Sequence, residues 1–148
     1  STRKESSAAS DVYKRQDFFQ REIRDYEYYA VLDFAFEALE YNDTVLINAP
    51  FTEEIRDNEY LDNLRAKLKE KDAELFVVWV HTDVEVCHER MIKRASDRDA
   101  WKLAHWDEYI ATQNFKQPDN IPELFVFNNS SEEEYKKSID AAVKAIRG

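Results

Sequence analysis

Arg90, Arg94 and Arg98 stand four residues apart in the run HERMIKRASDRDAWK, residues 88–102. Four residues on an α-helix advance about 400°, so each guanidinium sits about 40° round from the last and the three share one face. A guanidinium fork presents paired N–H donors to a carboxylate or phosphate and stays charged at any physiological pH. Such a stripe is unexpected in a 148-residue chain with 21 Lys and Arg against 31 Asp and Glu, a formal net charge of −10. Its plainest reading is a solvated helix face with local ion pairs, Glu89 with Lys93 and Asp97 beside Arg98. The alternative is a basic patch that serves a narrow purpose on an acidic protein.

The composition limits that purpose. Hydrophobic residues make up 43% and aromatics 14%, enough for one folded domain despite 35% charge. The acidic balance argues against a nucleic-acid polymer or a membrane surface as partner, since phosphate-rich partners repel it. Cys87 is the single cysteine, so no intrachain disulfide forms and a cytoplasmic location is expected. His81, His88 and His105 lack zinc-like spacing. No apolar run approaches the ~20 residues of a membrane span, and no signal-peptide pattern is visible. The one glycine is Gly148, the last residue, although α/β enzymes need glycines where backbone approaches a phosphate.

The elements that must carry the arginines follow from apolar periodicity. Residues 1–16 show none and read as a disordered polar tail. Residues 17–41 have helical spacing at Tyr29, Leu32, Phe36 and Leu39. DTVLINAP (43–50) reads as a short buried strand stopped by Pro50. Residues 53–70 place Ile55, Leu61, Leu64 and Leu68 on one side of a helix. ELFVVWVH (74–81) is apolar without alternation, as in a parallel strand covered on both faces. Thr82 or Asp83 is expected to cap a helix over 84–95. A further helix is expected over about 98–115, with Trp101 and Trp106 as packing residues. ELFVFNN (123–129) is the third strand, and Ser130 or Ser131 caps a last amphipathic helix through Ile139, Val143 and Ile146. Such alternation predicts an α/β fold: a parallel sheet of three strands with helices on both faces, a three-layer arrangement.

Three segments in this order resemble the C-terminal part of a P-loop kinase of the small-molecule and nucleoside-monophosphate type. They are LFVVWVHTD, the arginine-rich VEVCHERMIKRASDRDAWKL, and LFVFNNSSEEEYKKSIDAAVKAI. DTVLINAPF resembles the strand carrying that family's second nucleotide motif. The resemblance covers about residues 17–148 and makes the segment at about 90–106 the lid over the nucleotide phosphates. It implies an ATP- and Mg2+-dependent phosphotransferase acting on a small molecule or nucleotide. The family's phosphate loop, G-x-x-x-x-G-K-[ST], is absent. The expectation is therefore an N-terminally truncated P-loop NTPase fold, inactive as this chain alone. SAASDVYKRQ, residues 7–16, also resembles a run that recurs at the ends of translated metagenomic reads, an adapter or assembly scar.

The resemblance implies roles. Arg94 and Arg98, with Arg90 behind them, are implied to stabilise the charge that phosphoryl transfer spreads over the equatorial oxygens. Asn48 stands where many relatives place an aspartate that binds magnesium through water. Arg56 and Asp57 fall where related enzymes put substrate-facing groups; plain helix surface is the other reading. Asn128 and Asn129, at the strand edge where open α/β sheets bind ligands, are implied adenine contacts, or else a helix-capping turn. His81 reads as a turn histidine. Two other functions stay open, a non-catalytic kinase-like interaction domain and a simple NTPase.

Overall fold

The computed structural model describes residues 23–148. The chain divides into two compact units, the first ending at Glu74 and the second beginning at Leu75.

In the first unit, helix α1 (Arg24–Ala38) is followed by an irregular stretch, a 3-10 turn over Glu54–Arg56, and helix α2 (Asn58–Glu70). Residues 17–22 of the expected first helix lie outside the described residues. The Arg24 guanidinium donates to both Glu54 carboxylate oxygens, at 2.8 and 3.0 Å, fixing α1 to the 3-10 turn. Tyr28 stacks on Phe51 with ring centroids 4.4 Å apart. Helix α2 starts because the Asp57 carboxylate accepts the Glu59 and Tyr60 N–H groups, which have no intrahelical partner. It ends in a Schellman turn: Ala73 N–H reaches the Leu68 carbonyl and Asp72 N–H the Lys69 carbonyl, with Asp72 left-handed at φ 54°.

The expected strand over 43–50 does not form. Residues 44–50 have no regular structure; 45–49 instead line, with Ala30, Val31, Phe34 and Ala35, an apolar groove of about 430 Å³. A strand needs a neighbour for its N–H and C=O groups, and the unit offers no second strand among the described residues.

The second unit holds the sheet. Strand β1 (Val78–His81) pairs parallel with β2 (Phe125–Asn128), with Val78 opposite Phe125 and His81 opposite Asn128. Both expected strands are present and shorter than expected, and the described sheet has two strands, not three. Nor is β1 covered on both faces: Val80 is 59% exposed. Between the strands run helix α3 (Val84–Arg94), a 3-10 turn (Asp97–Asp99), and two short helices, α4 (Ala100–Ala104) and α5 (Trp106–Thr112). Helix α6 (Glu132–Arg147) follows and packs on β2, where Tyr135 meets Phe127 edge-on at 5.6 Å. Among the described residues no helix is long and apolar enough to cross a membrane.

The two serines divide the expected work. Ser131 Oγ accepts the Glu134 N–H and caps α6. Ser130 Oγ accepts the Asp83 N–H at 2.8 Å across the strand ends. Neither Thr82 nor Asp83 caps α3 with its side chain; the Asp83 carboxylate meets His81 Nε2 at 3.2 Å instead. Ser131→Ala is expected to cost the start of α6 about 1 kcal/mol. Faster amide exchange at Glu134, with Ile139 onward unchanged, is the measurement that checks it.

Candidate functional site

The arginine stripe does not run as one helix. Ala95 takes the left-handed conformation, φ 48° and ψ 42°, and ends α3 at Arg94. Arg90 and Arg94 keep the helical relation, while Arg98 lies in the 3-10 turn beyond the break. The expected helix over 98–115 is also divided. His105 leaves helical geometry at φ −125° and ψ 45°. The Trp101 carbonyl takes the His105 N–H at 3.0 Å, and the ring Nδ1 also lies 3.0 Å away.

A carboxylate joins two arginines that the helix no longer aligns. Asp99 is 2% exposed. Its Oδ2 accepts from Arg94 Nε at 3.0 Å and also from Nη2, and its Oδ1 lies 4.0 Å from Arg98 Nε. The local pairs expected from sequence, Glu89 with Lys93 and Asp97 with Arg98, are not the ones that form. Asp99 takes their place, and sequence spacing gave no sign of it. The only available signal was a charged residue just after a helix break, which is common on exposed turns.

Aromatic side chains brace this corner. His88 of α3 stacks on Trp106 of α5 with centroids 3.9 Å apart and planes 8° from parallel. Trp101 stacks on His105 at 4.9 Å, and Lys102 Nζ lies 5.2 Å above the Tyr109 ring. Trp106 thus acts as packing, whereas Trp101 stays more than half exposed.

Cys87 lies on α3 one turn from Arg90. Burial, with the Asp83 carboxylate nearby, pushes its thiol above the ordinary value, and the Arg90 charge pulls the other way. The thiolate is the reactive form. Alkylation of Cys87 at pH 8 should therefore be slower than that of an exposed cysteine and rise with pH. Arg90→Ala removes the opposing pull and should slow it further; timed iodoacetamide labelling read by mass spectrometry checks the order.

The other sequence-derived candidates have definite places. Asn128 N–H donates to Ser138 Oγ at 2.9 Å, and Asn129 N–H to the His81 carbonyl at 2.8 Å. Both main-chain donors are thereby committed to the fold and are not available to a ligand. Asp57 is committed to the α2 cap, and Arg56 lies in the preceding 3-10 turn. Asn48 sits in the apolar groove wall, which carries no carboxylate to complete a magnesium site with it. These last three belong to the first unit, the arginines and Asn128–Asn129 to the second.

The chain matches no protein-family model, no curated protein and no solved structure.

Proposed function

We propose that these residues form the lid-bearing part of an ATP- and Mg2+-dependent phosphotransferase of the P-loop kinase type, acting on a small molecule or nucleotide. The observation that carries this reading is the convergence of Arg94 and Arg98 on the buried Asp99 carboxylate. Arg94, held by Asp99 at the end of α3, and the mostly exposed Arg98 in the turn that follows lie on the connection between two parallel strands. Together they leave a net positive point of the kind that stabilises a transferred phosphoryl group. With one glycine in the whole sequence, these 148 residues cannot build a phosphate loop. On this reading the loop comes from polypeptide outside them, and the chain alone turns over no ATP.

The test is to extend the chain with the genomic coding sequence upstream of Asp17 and assay phosphate release with and without small-molecule acceptors. Acceptor-dependent transfer supports the kinase; release indifferent to acceptor supports a simple NTPase. An upstream sequence without strand, phosphate loop and helix removes both. A second reading, a kinase-like interaction module, draws on the apolar groove of the first unit, whose lining residues Phe34 and Leu46 are 74% and 83% exposed.

A further inference from the structure

We infer that Asp99 is a positioning residue, holding Arg94 so that its unused donors form a preorganised site for a polyphosphate anion. The inference rests on the phosphotransferase reading and adds to it a group that touches no phosphate itself. Arg94 gives Nε and Nη2 to Asp99; its Nη1 has no partner among the described residues, and its side chain is half exposed. A long, rotamer-rich arginine normally pays ordering entropy when a ligand binds. Here the carboxylate has already imposed the order. Arg98 adds a second guanidinium, 72% exposed, near the other oxygen of the same carboxylate. Arg90, one helical turn before Arg94, is exposed and makes no ion pair among the described residues. Asp99 cannot readily release Arg94 to an incoming anion, because that would strand a carboxylate out of water. It therefore acts as a mount and not as a competitor for the anion.

The sign of one substitution separates the two. Plain electrostatics says that removing any negative charge from this chain tightens anion binding. Positioning says that Asp99→Asn weakens it. The experiment titrates inorganic tripolyphosphate into the full 148-residue chain by calorimetry, alongside Asp99→Asn, Arg94→Lys and the exposed control Glu89→Gln. Arginine Nε–H resonances are recorded in parallel to follow the Arg94–Asp99 contact. The wild-type chain is expected to bind weakly. Asp99→Asn should lose about tenfold in affinity, the scale of ordering one such side chain, while Glu89→Gln binds as well or better. Arg94→Lys keeps the charge and loses the fork, and should fall by a similar factor. It carries the test if Asp99→Asn perturbs the helices. Equal or tighter binding by Asp99→Asn, or unchanged binding by Arg94→Lys, overturns the proposal. So does a wild-type chain that ignores tripolyphosphate, or one whose Arg94 Nε–H resonance shows no bonded pair with Asp99. The phosphotransferase reading fails separately, in the phosphate-release assay of the extended chain.

Discussion

Heated alone, the chain is expected to lose structure gradually and not in one sharp transition, and to bind a hydrophobic dye such as ANS at neutral pH before heating. Among the described residues only Ala35, Leu61, Leu68, Pro118 and Ile121 are buried apolar side chains. Fully burying a leucine contributes roughly 1.5–3 kcal/mol, whereas ordering each residue's backbone costs about 1–2 kcal/mol. Five such residues do not sustain a cooperative unit of this length. The two-stranded sheet adds little, because a lone strand pair is marginal in water. Helix α6 does present Ile139, Val143 and Ile146 in register, yet all three are more than a third exposed. Differential scanning calorimetry with near-ultraviolet circular dichroism checks the expectation. A single sharp transition at an ordinary mesophilic temperature, with equal calorimetric and van't Hoff enthalpies, would defeat it. The interaction-module reading would then gain over the kinase reading.

The second large effect is expected at Arg94. Arg94→Ala leaves the Asp99 carboxylate buried without its hydrogen-bonded partner. Breaking a fully buried pair costs about 3–5 kcal/mol; with half of Arg94 in water the cost is set at about 2 kcal/mol. That corresponds to roughly thirtyfold in a local opening equilibrium. Amide exchange from α3 through α5 should accelerate by about this factor, while α2 in the other unit is unaffected. Exchange is the right probe because it reads local opening without requiring a cooperative melt. Arg98→Ala, whose side chain lies mostly in water at the edge of the same carboxylate, should change exchange by no more than about twofold. Equal effects from Arg94→Ala and Arg98→Ala would show that Asp99 does not discriminate between the two arginines.

The parts of the fold legible in the sequence are those that local chemistry dictates. The period of Leu61, Leu64 and Leu68 and the amphipathic run through Ile139 and Val143 mark α2 and α6, and both helices have a side-chain cap at the start. The apolar segments before His81 and Asn128 mark the paired strands. Segment 43–50 has the same β-branched composition, but pairing is a property of neighbours, which a segment does not encode by itself. The end of α3 at Ala95 falls where the helix over 84–95 is expected to close. The left-handed geometry of Ala95 and the break at His105 are illegible for a different reason. Alanine is the strongest helix former, and nothing local announces either feature. Among the site residues, the arginines stood out by spacing. Asp99 did not, because its burial depends on α3, the turn and α4 coming together.

The left-handed residues have an evolutionary consequence. Asp72 and Ala95 end α2 and α3 with φ of 54° and 48°, in positions where most proteins place glycine. A side chain there costs about 1–2 kcal/mol of backbone strain, part of which is offset because it restricts the unfolded chain more than glycine does. Aspartate and alanine codons each lie one nucleotide change from a glycine codon. Two single-step mutations could therefore relax both helix ends without touching Arg94 or Asp99, which places this lineage within short reach of sturdier helix ends.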